Sequence, residues 1–120
     1  MTDDLSVYRV EYADAFKQEF EQAYLWLSSV TSPESAARWA DNLQDKVDDL
    51  ATLPRRFERA PEYLSSGKDV RRLLVRPWRV LYQVIEPAGG EREGGVVRVL
   101  HIYHGARGTS DQTDQENRSA

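Results

Sequence analysis

The chain of 120 residues contains no cysteine and a single methionine. Without thiols it has neither a disulfide framework nor a thiolate metal cluster, and nothing in its redox chemistry points outside a reducing compartment. Long apolar runs are also lacking, and no segment approaches the roughly 20 residues that cross a bilayer. The start, Met1-Thr2-Asp3-Asp4, is acidic and is not followed by the apolar stretch of a secretory signal. These absences predict a cytoplasmic protein with no membrane contact. No acidic pair or histidine cluster has metal-ligand spacing and no glycine run has phosphate-loop form, so neither a metal nor a cofactor is expected.

What is present suffices for one small core: 40% of the residues are hydrophobic. The formal net charge of −4 conceals an uneven distribution. Residues 1–50 carry −7, residues 51–110 carry +5 and the last ten carry −2. Cationic side chains are therefore concentrated in the second half, where an anionic partner would be drawn. An ordinary solvated surface gives the same asymmetry.

Ser6 to Tyr12 alternates and reads as an opening strand. From Asp14 to Ser29, Phe16, Phe20, Ala23, Tyr24 and Leu27 fall on one helical face, with Lys17, Glu19, Glu21 and Gln22 toward water. Val30-Thr31-Ser32-Pro33 ends this helix and starts another, Ser32 as N-cap and Pro33 at the first helical position. Ala36, Ala40, Leu43, Val47 and Leu50 continue the second stripe until Pro54 closes it, and two helices so joined form an antiparallel hairpin. Arg55 to Lys68, with two prolines and Ser65-Ser66-Gly67, reads as an ordered surface loop. Strands are predicted over Val70–Val75, Arg79–Ile85 and Val96–Tyr103, the last two joined by a flexible loop from Pro87 to Gly95. The result is an α+β fold, β-α-α-β-β-β, with the helix hairpin packed on one face of a small, mostly antiparallel sheet. Residues 1–108 form a single domain in this reading, and 109–120 form a polar, disordered tail.

The chemistry-bearing residues lie in the sheet half: Arg71, Arg72, Arg76, Arg79, Arg98 and Arg107, and the run His101-Ile102-Tyr103-His104-Gly105. Adjacent strands lie about 4.8 Å apart, so arginines on one face can jointly clamp a phosphate. Alternation sets Arg71 and Arg72 on opposite faces, while Arg79 at one strand start and Arg107 past another strand end converge on one rim. RNA cleavage by a 2′-hydroxyl needs a base, an acid and cations around the phosphate. Arginine suits only the third role, which leaves His101, Tyr103 or His104 for proton transfer. His101 and Tyr103 share a face, and His104 falls beyond the strand, exposed and placed to titrate. Each of these residues also has an ordinary structural role open to it, arginine as a packed stem and histidine as a strand-end hydrogen bonder.

Three segments are specific in their order and spacing: Asp69-Val70-Arg71-Arg72-Leu73, Trp78-Arg79-Val80-Leu81-Tyr82-Gln83-Val84 and Val99-Leu100-His101-Ile102-Tyr103-His104-Gly105-Ala106-Arg107. Leu53-Pro54 and Ala60-Pro61-Glu62 add to them. On these residues, across roughly 7–108, the chain resembles the RelE/ParE toxin superfamily, the plasmid stabilisation toxins of type II toxin–antitoxin pairs. The resemblance implies the fold given above, growth inhibition, and a cognate antitoxin that wraps the toxin with a helix or extended segment in a hetero-oligomer. Its RelE branch cleaves messenger RNA on the ribosome and its ParE-like members inhibit DNA gyrase. Arg79 and Arg107 match the positions that hold the scissile phosphate in RelE-like nucleases, and Arg71 or Arg72 lies where that branch has basic residues. If the chain is a nuclease, Arg79, His104 and Arg107 are the catalytic set; Arg71, Arg72, Arg79 and Arg107 are the phosphate-binding set. The chain departs from RelE where Leu73, Leu74 and Val75 replace its lysines. That departure, the long hairpin and the low overall basicity favour gyrase inhibition, with RNA cleavage and a non-toxic antitoxin-binding module as the alternatives. Trp26, Trp39 and Trp78 are either core residues or partly exposed anchors.

Overall fold

Residues 8–87 and 94–105 are described by the computed structural model. Strand β1 is Arg9–Tyr12, and helices α1 and α2 are Asp14–Val30 and Pro33–Asp48. The break between the helices has the chemistry its residues predict. The Thr31 N–H closes α1 on the Leu27 carbonyl, and the Ser32 hydroxyl accepts the Ser35 N–H at 3.0 Å as N-cap of α2. Pro33, which has no N–H to satisfy, takes the first position. At its other end α2 tightens into a 3-10 turn at Asp49–Ala51, and Leu53, where the following proline disfavours the right-handed helical region, adopts a left-handed conformation (φ 49°).

The strands β2 (Val70–Val75), β3 (Trp78–Ile85) and β4 (Val96–His104) complete a sheet of order β1-β4-β3-β2. β2–β3 and β3–β4 are antiparallel, and β1 lies parallel to β4. The α1–α2 hairpin covers one face. Phe16, Ala23, Leu43, Val47 and Leu50 pack there on Leu73, Val75, Trp78, Val80, Tyr82, Val84, Val97, Val99 and Ile102. Each fully buried aliphatic side chain contributes about 1.5–3 kcal/mol. A row of rings crosses this layer, Tyr12–Phe16–Phe20–Trp39–Trp78, with successive centroids 5.5, 5.8, 5.3 and 5.2 Å apart.

The segment expected as a loop contains 3-10 turns at Pro54–Arg56 and Pro61–Ser66, and it covers part of the opposite face. Ala60 and Tyr63 pack there against Val70, Leu81, Leu100 and Tyr103. Its backbone is laced to β2, the Ala60 N–H donating to the Val70 carbonyl and the Arg72 N–H to the Glu58 carbonyl. Arg55 and Arg71 both hold Asp69, at 2.7 and 2.9 Å, and Arg71 also donates to the carbonyls of Arg55 and Phe57. Burial alone would raise the Asp69 carboxyl, but these hydrogen bonds outweigh it and hold the group below its ordinary range. Tyr82 is fully buried, and its hydroxyl donates to the Pro54 carbonyl at 2.6 Å.

Three boundaries move by one residue: α1 runs on to Val30, β3 begins at Trp78, and His104 closes β4 instead of lying beyond it; β1 begins at Arg9, which leaves Tyr8 outside the strand. The pairing Trp78↔His104 holds His104 in the ladder. Ser6 and Val7 of the expected first strand, most of the β3–β4 loop and the C-terminal tail lie outside the described residues.

Candidate functional site

The C-terminal end of β4 extends past the end of β1, so its edge there has no strand neighbour. Glu19 covers that edge from α1. Its Oε1 accepts the Ile102 N–H at 3.0 Å and its Oε2 lies 3.1 Å from His101 Nδ1. A carboxylate accepts, so the contact suits an imidazole that carries a proton on Nδ1. Beside this contact runs a groove of about 490 Å³, walled by Ala23, Trp26, Trp78, Ile102 and Tyr103 with Glu19, Gln22 and His104 at its polar margin. Trp78 organises it: Trp26 meets the Trp78 ring edge-on at 6.4 Å and His104 does so at 5.3 Å.

The β3–β4 register decides which side chains can act together. Leu100 is an extra residue opposite the Leu81/Tyr82 step, so Val97 and Val99 face the helices before the bulge and Ile102 and His104 after it. Tyr103 pairs with Arg79 on the other face, where the Arg79 guanidinium carbon lies 6.0 Å from the Tyr103 ring centre. Burial, reinforced by the nearby Glu62 carboxylate, pushes the Tyr103 hydroxyl above its ordinary range. Tyr103 is therefore a proton donor at neutral pH and not a base. Arg79 itself is half-buried, and its Nε is enclosed without a hydrogen-bond partner among the described residues.

The family model for the ParE toxin of the type II toxin–antitoxin system parDE matches residues 10–108. The chain belongs to the ParE toxin family. None of the curated proteins matches it. Among solved structures, the chromosomal ParDE toxin–antitoxin system from P. aeruginosa is similar in fold, with a TM-score of 0.63 at 15% identity over 82% of this chain and 96% of that one.

In this ParE-family toxin the predicted site residues do not gather in one place. Arg71 pairs with Tyr82 on the helix-facing side and is spent on Asp69 and two carbonyls. Arg72 faces the other way and is held by Glu58. Arg79 lies on the same face as Arg72, and His104 lies on the helix face. Arg107 is outside the described residues. His101 and Tyr103 keep the shared side that strand parity assigns them, opposite Leu81 and Arg79. Sequence reasoning missed Glu19, placed with the solvent-facing residues of α1. The available signal was angular: Glu19 lies about 60° round the helix from Phe16, at the border of the apolar arc.

No helix among the described residues is long and apolar enough to cross a membrane.

Proposed function

We propose that this chain is the toxin of a two-gene pair in the cytoplasm, held in check by a cognate antitoxin, and that it arrests growth by binding DNA gyrase without cutting RNA. One observation carries the choice of mechanism: His104 and Arg79, the proton-transfer and phosphate-holding candidates, project from opposite faces of the sheet. A nuclease needs its acid or base within hydrogen-bond reach of the atoms around the clamped phosphate. The other basic candidates add little, since Arg71 and Arg72 are already neutralised by Asp69 and Glu58. A groove with aromatic walls suits contact with a protein surface.

RNA cleavage is the second reading, and the neighbouring Arg79 and Tyr103 favour it as one cation and one proton donor on a single face. Induction of this gene alone in a bacterial host separates the two. Loss of plasmid supercoiling with intact messenger RNA supports the inhibitor. New RNA ends within translated codons, mapped by primer extension, would overturn it in favour of the nuclease, and normal growth would overturn both.

A further inference from the structure

Of the six large apolar side chains left exposed among the described residues, Leu25, Trp26 and Val30 lie close together on α1, at 60%, 47% and 55% exposure. They belong to residues 22–33, a run without Asp, Glu, Lys or Arg in a chain of which those residues make up 30%. Elsewhere the hairpin turns carboxylates to solvent: α1 and α2 together hold seven acidic and three basic residues, with Glu21, Glu34, Asp41, Asp45 and Asp48 all exposed. An apolar patch this concentrated on an otherwise charged surface is a contact surface. A second copy of the chain is repelled by most of the hairpin and not by this part of it.

The order of residues in the patch fits such a copy. Gln22, Leu25, Trp26 and Ser29 fall on one side of α1, and all four are exposed. Read from either end, this stripe is polar, apolar, apolar, polar. A second α1 laid antiparallel about the midpoint of Leu25 and Trp26 therefore sets Leu25 on Trp26 and Gln22 on Ser29. The Ser29 hydroxyl already donates to the Trp26 carbonyl at 2.8 Å, which leaves its oxygen to accept from the Gln22 amide. In this arrangement Glu19 and Glu21 lie beside Ser32 and Val30 of the second copy, so like charges do not meet. A two-fold contact requires a patch that complements itself, whereas a partner of different sequence gains nothing from that symmetry.

We propose that two copies of this chain associate through the α1 stripe of Gln22, Leu25, Trp26 and Ser29, antiparallel about a two-fold axis. The stripe is far smaller than the roughly 20–30 residues a side of a stable interface, so the dimer is a weak one, with a dissociation constant on the order of 10–100 µM. A copy seated there covers Trp26, one wall of the groove beside Trp78, so self-association competes with any protein that enters the groove. The inference goes beyond the proposed inhibition of gyrase. Its test reads the mass and cross-linking of purified protein, so failure of this contact and failure of the toxin reading are separate results.

Sedimentation equilibrium of the full chain, from about 5 to about 500 µM, should show the mass rising from 13.8 kDa toward twice that value. Leu25→Glu, on the solvent side of α1 and outside the groove, should weaken the association about 10-fold or more by replacing a buried apolar contact with a charge. Because the chain contains no cysteine, single introduced cysteines report the orientation of the two helices. Under a mild oxidant, a mixture of the Gln22→Cys and Ser29→Cys variants should give the mixed disulfide at least about fivefold over either self-linked product, since only the mixed pair comes within disulfide reach. A mass that stays monomeric over that range, or an association unchanged in Leu25→Glu, would overturn the proposal. Mixed and self-linked products in statistical proportion would overturn the antiparallel contact. A monomer in which Leu25→Cys links to Ser110→Cys within one copy would give the stripe to the chain's own C-terminal segment. A monomer in which Leu25→Glu, still folded, loses growth arrest would give it to a different protein. Each of these last two results would also overturn the proposal.

Discussion

Glu19 of α1 and His101 of β4 are joined across the open edge of the sheet, Oε2 to Nδ1 at 3.1 Å, and the same carboxylate satisfies the Ile102 N–H. Removing the carboxylate leaves a strand N–H and an imidazole without acceptors. Glu19→Ala should lower stability by about 1 kcal/mol, toward the low end of the range because the site is partly open to water. Glu19→Gln keeps an acceptor for Ile102 and should lose less. Urea unfolding of the two variants measures this, and equal losses would show that the contact to Ile102 contributes nothing.

Asp69 links the stability of the loop-to-β2 junction to pH. Its carboxyl is lower in the folded chain than the ordinary value of about 3.9, so folding favours its ionised form. That contribution is present in full above the unfolded value and is lost as the pH falls through the lower native one. Asp69→Asn should therefore be less stable than the parent at neutral pH, and the gap should close on acidification below about pH 4. A gap that stays constant down to acid unfolding would contradict this.

Tyr82 places a phenol in the apolar layer with the Pro54 carbonyl as its acceptor. Tyr82→Phe leaves that carbonyl unmet and should cost about 1–2 kcal/mol in thermal or urea unfolding. Burial also pushes the Tyr82 hydroxyl upward. In an alkaline titration followed by phenolate absorbance, one of the six tyrosines should therefore ionise only as the protein unfolds.

For the inhibitor mechanism the histidines carry no proton transfer. His101→Gln, outside the groove, should retain growth arrest provided that circular dichroism shows it folded. Under a nuclease mechanism, loss of the acid or base lowers the cleavage rate about 10²-fold or more. A folded variant with that loss, measured by primer extension, would decide for the nuclease.

Much of the fold was legible because local signals agreed. Ser32-Pro33 marked the second helix, and the apolar stripes through Phe16, Ala23, Leu43 and Val47 faced the sheet as their spacing implied. The β2 span was legible to the residue, and β3 and β4 were each short by one. What escaped was non-local. The bulge at Leu100 has no side-chain signature, since an extra residue in a ladder is defined by its partner strand. Glu19 looked solvated because its acceptor role depends on where β1 stops. The candidate site was legible as a list of residue types and not as a grouping. Parity separated Arg71 from Arg72, but only the register could show that Arg79 and His104 diverge.

The parallel pairing of β1 with β4 has a consequence for how the toxin is made. β4, the last of the described strands in sequence, lies between β1 and β3. A chain emerging from the ribosome can form the helix hairpin and the β2–β3 hairpin early, since both are local. Its first strand has no neighbour, and the helices have half a floor, until residues 96–104 arrive to join the two halves. Because the edge at Ile102 belongs to that last strand, a translation product interrupted before it lacks that surface. A partner that recognises this edge therefore meets only chains in which β4 has taken its place between β1 and β3.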